Sequence, residues 1–224
     1  MSKEAQRWSS SGERGPLKIC PSPGGRQITP GSAAVFLDRD GVLDAAVPDP
    51  VSGWPESPLQ VADARLLAGA AAAVRQLAEA GYAVVCVSNQ PAAAKGKATV
   101  AQLLGVHERV LELLAREGAV LDASRLCPHH PDGVVAELSG PCPCRKPAPG
   151  MLTDAAAAMQ LDLGASWMIG DTDADIGAGR AAGCRTVLLE YPGSVHKRMG
   201  DADEDMRAAD LAEASSQLLS RTAL

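Results

Sequence analysis

Apolar and polar positions alternate along the chain in blocks that switch between two periods. Ala33–Leu37 is a short apolar run that ends on Asp38, which reads as a buried strand emptying into a loop. Leu66, Leu67, Ala70, Val74, Leu77 and Ala78 recur at helical spacing, and Gly81 supplies a stop. Ala83–Val87 is β-branched and predicts a second strand, closed by Ser88-Asn89-Gln90-Pro91. Thr99 opens an amphipathic helix that runs to Glu117 and stops at Gly118. Met151–Met159 predicts a short helix, Trp167–Ile169 a strand, Ala174–Ala182 a helix stopped by Gly183, and Thr186–Leu189 a last clear strand. Ala208–Leu219 is weakly periodic and also predicts a helix. Strands alternating with helices predict an α/β fold, a parallel sheet with helices on both faces. The pattern contains no internal repeat and no second domain.

Composition narrows this picture. The 224 residues suffice for one packed domain, aromatic residues make up 3%, and the core is therefore expected to be aliphatic. A formal charge of -6 argues against a nucleic-acid partner but leaves room for a small anion held by a local basic cluster. No apolar run reaches the length of a bilayer, and the polar start carries no export signal, so the expectation is a cytoplasmic protein without a membrane partner. Residues 1–31, rich in Ser, Gly, Pro and charge, read as a flexible extension, with residues 32–224 as the folded domain. The loop from Asp44 to Val61 carries four prolines and Trp54, a residue suited either to walling a pocket or to packing as a lid.

Polar residues cluster where the predicted strands end. Asp38 and Asp40 follow the first, Ser88 and Asn89 the second, and Asp171, with Asp173 and Asp175, the third. In an open α/β sheet those ends share one edge, where ligands bind. Arg145-Lys146-Pro147 is the main candidate for local positive charge, with Lys95 and Lys97 further candidates. Asp171-x-Asp173-x-Asp175 begins like a calcium loop, but Ile176 holds the glycine position and Ala182 that of the closing glutamate, which excludes it. Asp173 is expected to cap a helix and Asp175 to sit at its start, as a dipole partner or a ligand-orienting group. Cys127-Pro128-His129-His130-Pro131 and Cys142-Pro143-Cys144 offer three thiols and an imidazole, enough to close a tetrahedral zinc site. Cys127, His129, Cys142 and Cys144 leave no open position, so such a zinc is structural; the loop between them has little apolar content, and a metal would hold it. Cys86 and Cys184 are expected in the core. The phosphate cradles of nucleotide-binding enzymes are absent.

Together these residues resemble the haloacid dehalogenase (HAD) superfamily of phosphohydrolases. Asp38-Arg39-Asp40-Gly41 looks like its first motif, Ser88 its second, Lys146 its third, and Gly170-Asp171 with Asp175 its fourth. The zinc loop running into Arg145-Lys146-Pro147 is most similar to that of the heptose-bisphosphate and histidinol-phosphate phosphatases. The resemblance implies a Rossmann-like sheet without a large cap domain. It also implies that Asp38 attacks phosphorus, Asp40 is acid and base, and Ser88 and Lys146 steady the phosphoryl group. Mg2+ would be held by Asp38, the Asp40 carbonyl and Asp171, and Asn89, Gln90 and Arg145 would meet the substrate. The implied reaction is removal of the 7-phosphate from D-glycero-D-manno-heptose 1,7-bisphosphate; the oligomeric state is not legible in the sequence, with a monomer favoured.

Histidinol phosphate or another small phosphomonoester is the alternative substrate. A non-catalytic protein that uses the zinc loop as an interaction surface is the alternative of another class. The chain departs from the family pattern at Pro91–Lys95, where Pro91 lacks an N–H and Lys95 stands for an arginine, and at Thr172, where the heptose enzymes often carry lysine. Both changes bear on the organic group accepted.

Overall fold

The computed structural model describes residues 15–19, 26–200 and 202–222. In chain order the elements are β1 (Leu17–Ile19), β2 (Ala33–Leu37), β3 (Val47–Pro48), β4 (Pro55–Glu56), α1 (Ala70–Glu79), β5 (Ala83–Asn89), α2 (Val100–Arg116), β6 (Ala123–Cys127), α3 (Gly150–Met159), β7 (Asp162–Gly170), α4 (Asp173–Ala182), β8 (Arg185–Leu189), β9 (Met206–Ala208) and α5 (Leu211–Thr222). Seven strands form one sheet in the order β1-β6-β5-β2-β7-β8-β9, parallel except for β1. β3 and β4 make a separate two-stranded ladder.

Alternation along β2 explains the layers. Val35 and Leu37 face one side and pack with Val74 and Leu77 of α1, Val110 of α2 and Leu218 of α5. Ala34 and Phe36 face the other and pack with Met151 and Leu152 of α3 and Ala178 of α4. Both sides of the central strand are buried, which is why it reads as an unbroken apolar run. Cys86 and Cys184 lie in this core as expected.

The chain builds outward from β2 to β5 and β6, then returns to place β7 on the other side. The order therefore reverses between β2 and β7, the switch point where an open α/β sheet leaves a crevice beyond its strand ends. Asp38 and Asp171 flank that crevice.

Several boundaries differ from the sequence reading. α1 begins at Ala70, not at Leu66, because Gly69 adopts φ 78° in a turn and the residues before it pair with the segment after β2, Leu66 bridging to Asp44 and Leu67 N–H donating to the Leu43 carbonyl (3.0 Å). Ala208 belongs to β9, and Asp210 starts α5 by accepting from Glu213 N–H (2.9 Å). Part of the stretch expected to be a flexible extension is ordered. Leu17–Ile19 pairs antiparallel with β6, Lys18 is 2.6 Å from Asp154 of α3, and Arg26 binds Asp122 (2.7 Å). Residues 1–14 and 20–25, with Cys20, lie outside the described residues. Among the described residues no helix is long and apolar enough to cross a membrane.

Candidate active site

β2 delivers Asp38 to the crevice. Its backbone N–H still bonds across to the Ile169 carbonyl (3.0 Å), so the carboxylate stands where the pairing ends. Its Oδ1 accepts from Arg39 N–H (2.7 Å). The turn that follows needs a glycine: Gly41 has φ 82°, and a Cβ there would lie 2.0 Å from Asp171 Oδ2. The close approach of the first acidic loop to the third is thus built into the sequence.

Lys146 reaches the same point from the loop before α3. Its ammonium is buried, 3.0 Å from Asp38 Oδ1 and 2.5 Å from Asp175 Oδ1, and it donates to the Val87 carbonyl of β5 (2.7 Å). Asn89 fixes this loop to the tip of β5. Its amide Nδ2 donates to the Lys146 carbonyl (3.0 Å) and its Oδ1 accepts from Lys146 N–H (3.0 Å). Both ends of the Asn89 side chain, expected on the substrate, are therefore engaged with the lysine backbone. Burial opposes the Lys146 charge, but Asp175 and Asp38 outweigh it and push the group above the usual lysine range.

Asp175 sits at the start of α4, wholly buried. Its Oδ2 accepts from Thr172 N–H (3.0 Å) and Thr172 Oγ1 (2.6 Å), so Thr172 is the N-cap residue expected at Asp173. Gly170 makes room: a Cβ there would meet the Asp175 Cβ at 2.1 Å. Asp175 thus closes the helix start and faces the lysine, a double task that its burial, but not its spacing, reveals.

Asp171 is buried, and its Oδ1 has no hydrogen-bond partner. Carboxylate oxygens of Asp38, Asp171 and Asp175 all lie within 4.8 Å of one another. Burial, then repulsion from Asp175 and Asp38, raises Asp171 well above the usual carboxylate range. Burial chiefly, opposed by Lys146 and aided by Asp175 and Asp40, pushes Asp38 up to about 6. Three buried carboxylates face one ammonium. An unpartnered oxygen aimed into that surplus of negative charge fits a hard divalent cation, which takes oxygen ligands.

Asp40 lies two residues further along the same turn. It receives the Arg39 guanidinium, Gln90 Nε2 (2.6 Å) and Ser57 Oγ (2.8 Å). Gln90, also expected on the substrate, lines a cavity of about 250 Å³, but both ends of its amide are taken within the chain. The cavity opens beside Asp40 between Pro48, Glu56, Ser57, Gln90, Lys95 and Lys97. Trp54 does not line it; half-exposed, it stacks on His196 at 5.0 Å between ring centroids. Ser88 is buried at the tip of β5, its Oγ accepting from Gln90 Nε2 (3.1 Å). Arg145 is partly exposed and donates to the His129 carbonyl (3.2 Å).

The cysteine cluster lies next to this centre. Cys127 ends β6, and its Sγ is 3.6 Å from Cys142 Sγ, 3.2 Å from Cys144 Sγ and 3.6 Å from His129 Nδ1. Cys144 Sγ is 3.3 Å from His129 Nδ1 and 3.5 Å from Cys142 Sγ. A zinc–sulfur bond of about 2.3 Å makes a tetrahedron with edges of about 3.7 Å, slightly larger than these separations. No pair is bonded as a disulfide. Shared hydrogen bonds push Cys127 up to about 12 and hold Cys142 far below the thiol range, the mark of thiols crowded around one point. The donor set fits zinc. The loop between the pairs is better packed than its composition promises, since Leu138 is buried with Ala93, Ala94 and Leu103.

The comparisons with known proteins agree with this arrangement. A family model described as "HAD-hyrolase-like" matches residues 143–197. The chain is 37% identical, over 194 residues, to a D-glycero-beta-D-manno-heptose-1,7-bisphosphate 7-phosphatase of Yersinia pestis, covering 87% of this chain and 99% of that protein. Among solved structures it resembles a putative HAD-like phosphatase from Mesorhizobium loti, with TM-score 0.71 and 34% identity, covering 80% of this chain and 81% of that one. It also resembles the D,D-heptose 1,7-bisphosphate phosphatase from B. bronchiseptica, solved with magnesium and phosphate, with TM-score 0.69 and 30% identity, covering 84% of this chain and 99% of that one. The chain belongs to the HAD-like hydrolases, in the family of the D-glycero-beta-D-manno-heptose-1,7-bisphosphate 7-phosphatases.

Proposed function

We propose that this chain, through its domain at residues 32–224, is a phosphoric monoester hydrolase that removes the 7-phosphate of D-glycero-D-manno-heptose 1,7-bisphosphate. One observation carries the reading: the Lys146 ammonium bridges Asp38 and Asp175 beside the unpartnered oxygen of Asp171, at the sheet's switch point. A carboxylate nucleophile, a fixed cation and a cation-ready acidic site are what phosphoryl transfer requires.

Asp38 attacks phosphorus, and the bond to the sugar oxygen breaks. Asp40 gives that oxygen its proton, so the sugar leaves as a neutral alcohol and Asp38 carries the phosphoryl group. Water then attacks phosphorus, Asp40 takes its proton, and inorganic phosphate departs with Asp38 restored. Lys146 and Ser88 hold the phosphoryl oxygens where negative charge gathers. Asp38, the Asp40 carbonyl and Asp171 would hold Mg2+, which when bound offsets charge among the carboxylates and the phosphoryl oxygens. Cys127, His129, Cys142 and Cys144 would hold a structural zinc at residues 127–144. Arg145, beside that loop and partly exposed, is placed to recognise the rest of a small anionic sugar phosphate. We read the enzyme as monomeric and cytoplasmic, without nucleic-acid or membrane partners.

The test is phosphate release, with magnesium, from the heptose bisphosphate, histidinol phosphate and simple phosphomonoesters side by side. The bisphosphate is expected to be preferred, and Asp38→Asn to lose at least about a thousandfold in kcat while remaining folded. Preference for histidinol phosphate would replace the substrate. Full activity in Asp38→Asn would remove the nucleophile. No turnover of any ester with both metals bound would favour a non-catalytic zinc-loop protein.

A further inference from the structure

We propose that Arg39 and Gln90 are positioning residues that hold Asp40, the acid and base of the reaction, in place against the leaving group. The inference rests on the phosphatase reading and adds to it a reason why Asp40 works from a loop. A general acid acts only within hydrogen-bond reach of the oxygen it protonates, so its side chain must be held. An Asp on a turn has two side-chain torsions, and other side chains must restrain them.

The restraint comes from a closed ring of three side chains. Arg39 is fully buried. Its Nε donates to Asp40 Oδ1 (3.0 Å), and its Nη2 lies 2.9 Å from Oδ1 and 3.1 Å from Oδ2. The same Nη2 donates to Gln90 Oε1 (2.9 Å). Gln90 Nε2 then donates to Asp40 Oδ2 (2.6 Å) and to Ser88 Oγ (3.1 Å). The arginine forces the orientation of the amide, because only its oxygen can face the guanidinium. Gln90 is itself buried, and both ends of its amide are occupied by these partners. The ring also ties Asp40 to Ser88, so acid and phosphate-binding hydroxyl are set relative to one another.

A carboxylate offers about four lone-pair sites. Oδ2 is crowded, accepting from Arg39 Nη2, Gln90 Nε2 and Ser57 Oγ (2.8 Å), whereas Oδ1 meets Arg39 alone. Ser57 differs from the other two donors, since it is partly exposed and stands in the wall of the cavity. It is the contact that yields when a leaving oxygen or an attacking water approaches Asp40 from that cavity. The buried pair stays.

The experiment compares two esters that differ in their need for a proton. p-Nitrophenolate leaves unprotonated, whereas the alkoxide of an alkyl phosphate does not. Gln90→Leu keeps the volume and removes both ends of the amide; Arg39→Lys keeps the charge and loses the fork. Asp40→Asn is the control for the acid itself, and thermal melting verifies that each variant is folded. In Gln90→Leu, kcat/KM, which reports the step in which the leaving group departs, is expected to fall about ten- to a hundredfold further on the alkyl ester than on the aryl ester, a fraction of the acid's whole contribution. Arg39→Lys is expected to show a smaller split of the same sign. Equal losses on both esters in a folded Gln90→Leu, or no loss on either, would overturn the inference even with Asp40→Asn showing the split. If the wild-type chain turns over neither these esters nor the heptose bisphosphate, the phosphatase reading itself is wrong and the inference falls with it.

Discussion

At the scale of single residues the site is a problem in charge. Asp38, Asp171 and Asp175 are buried around one ammonium, and desolvation pushes Asp38 up to about 6 and Asp171 well above the usual range. The sign of the consequence follows from linkage. A carboxylate whose folded pKa is raised keeps its proton while the unfolded chain has lost it. That preference stabilises the fold below the unfolded value near 4 and is lost as pH rises through about 6. A divalent cation takes the place of those protons, so it binds where they have left. The melting temperature of magnesium-free protein, dialysed without a chelator that would also strip zinc, should therefore fall between pH 5 and 7.5. The upward shift caused by millimolar magnesium should grow over the same interval, and Asp38→Asn should flatten both trends. Melting curves across pH check this; a magnesium shift that is constant with pH would mean that these carboxylates are not its ligands.

At the scale of elements, the cysteine-rich loop links the tip of β6 to the lysine. Cys127 closes β6 and Cys144 stands two residues before Lys146, so a metal held by this cluster would set the distance between the sheet and the loop that carries the lysine. Cys142→Ser should lower bound zinc from one per chain and expose the segment around 140–146 to limited proteolysis. It should also cut kcat about tenfold or more, because a displaced lysine stabilises the phosphoryl group poorly. The part of the loop anchored by Leu138 is expected to stay protected. Metal analysis that still finds one zinc in this variant would refute the assignment. The cluster was legible because its ligands come as two tight pairs, and the strand tips because β2 and β5 are apolar runs with abrupt polar ends. Thr99 showed its helix plainly, with a capping box to Gln102. Other elements gave no such signal. β6 buries Ser124 and Arg125, the latter paired with Asp154 (2.6 Å), so it does not look apolar. β1 and β9 are three residues each and exist only through their neighbours. The tasks of Asn89 and Gln90 were hidden because their partners, Lys146 and Asp40, lie 57 and 50 positions away.

At the scale of the whole molecule, two surface segments close over the site in place of a cap domain. The segment after Asp44 meets the segment after β8 at three points: Ala46 N–H donates to Tyr191 Oη (3.1 Å), Lys197 pairs with Glu56 (2.8 Å), and Trp54 stacks on His196. Arg198 fastens the second segment to the site, donating to the Asp171 carbonyl (2.8 Å) and to the Leu189 carbonyl (2.7 Å). The first segment supplies Ser57 and one wall of the cavity. Substrate binding should therefore depend on a ring stack that does not touch the cavity. Exposed ion pairs such as Lys197–Glu56 contribute little, so the stack is the contact to test. An aromatic pair of this kind couples by about 0.5–1.5 kcal/mol, or roughly two- to tenfold in KM. Trp54→Ala and His196→Ala should each raise KM for the sugar phosphate by that order, with kcat on p-nitrophenyl phosphate changing less. The double variant should be no worse than the poorer single one, since the second substitution removes a partner already lost. Trp54→Phe should restore most of the effect by restoring a ring. Full additivity in the cycle would mean that the two side chains act separately and that the segments are held over the cavity by their backbones alone.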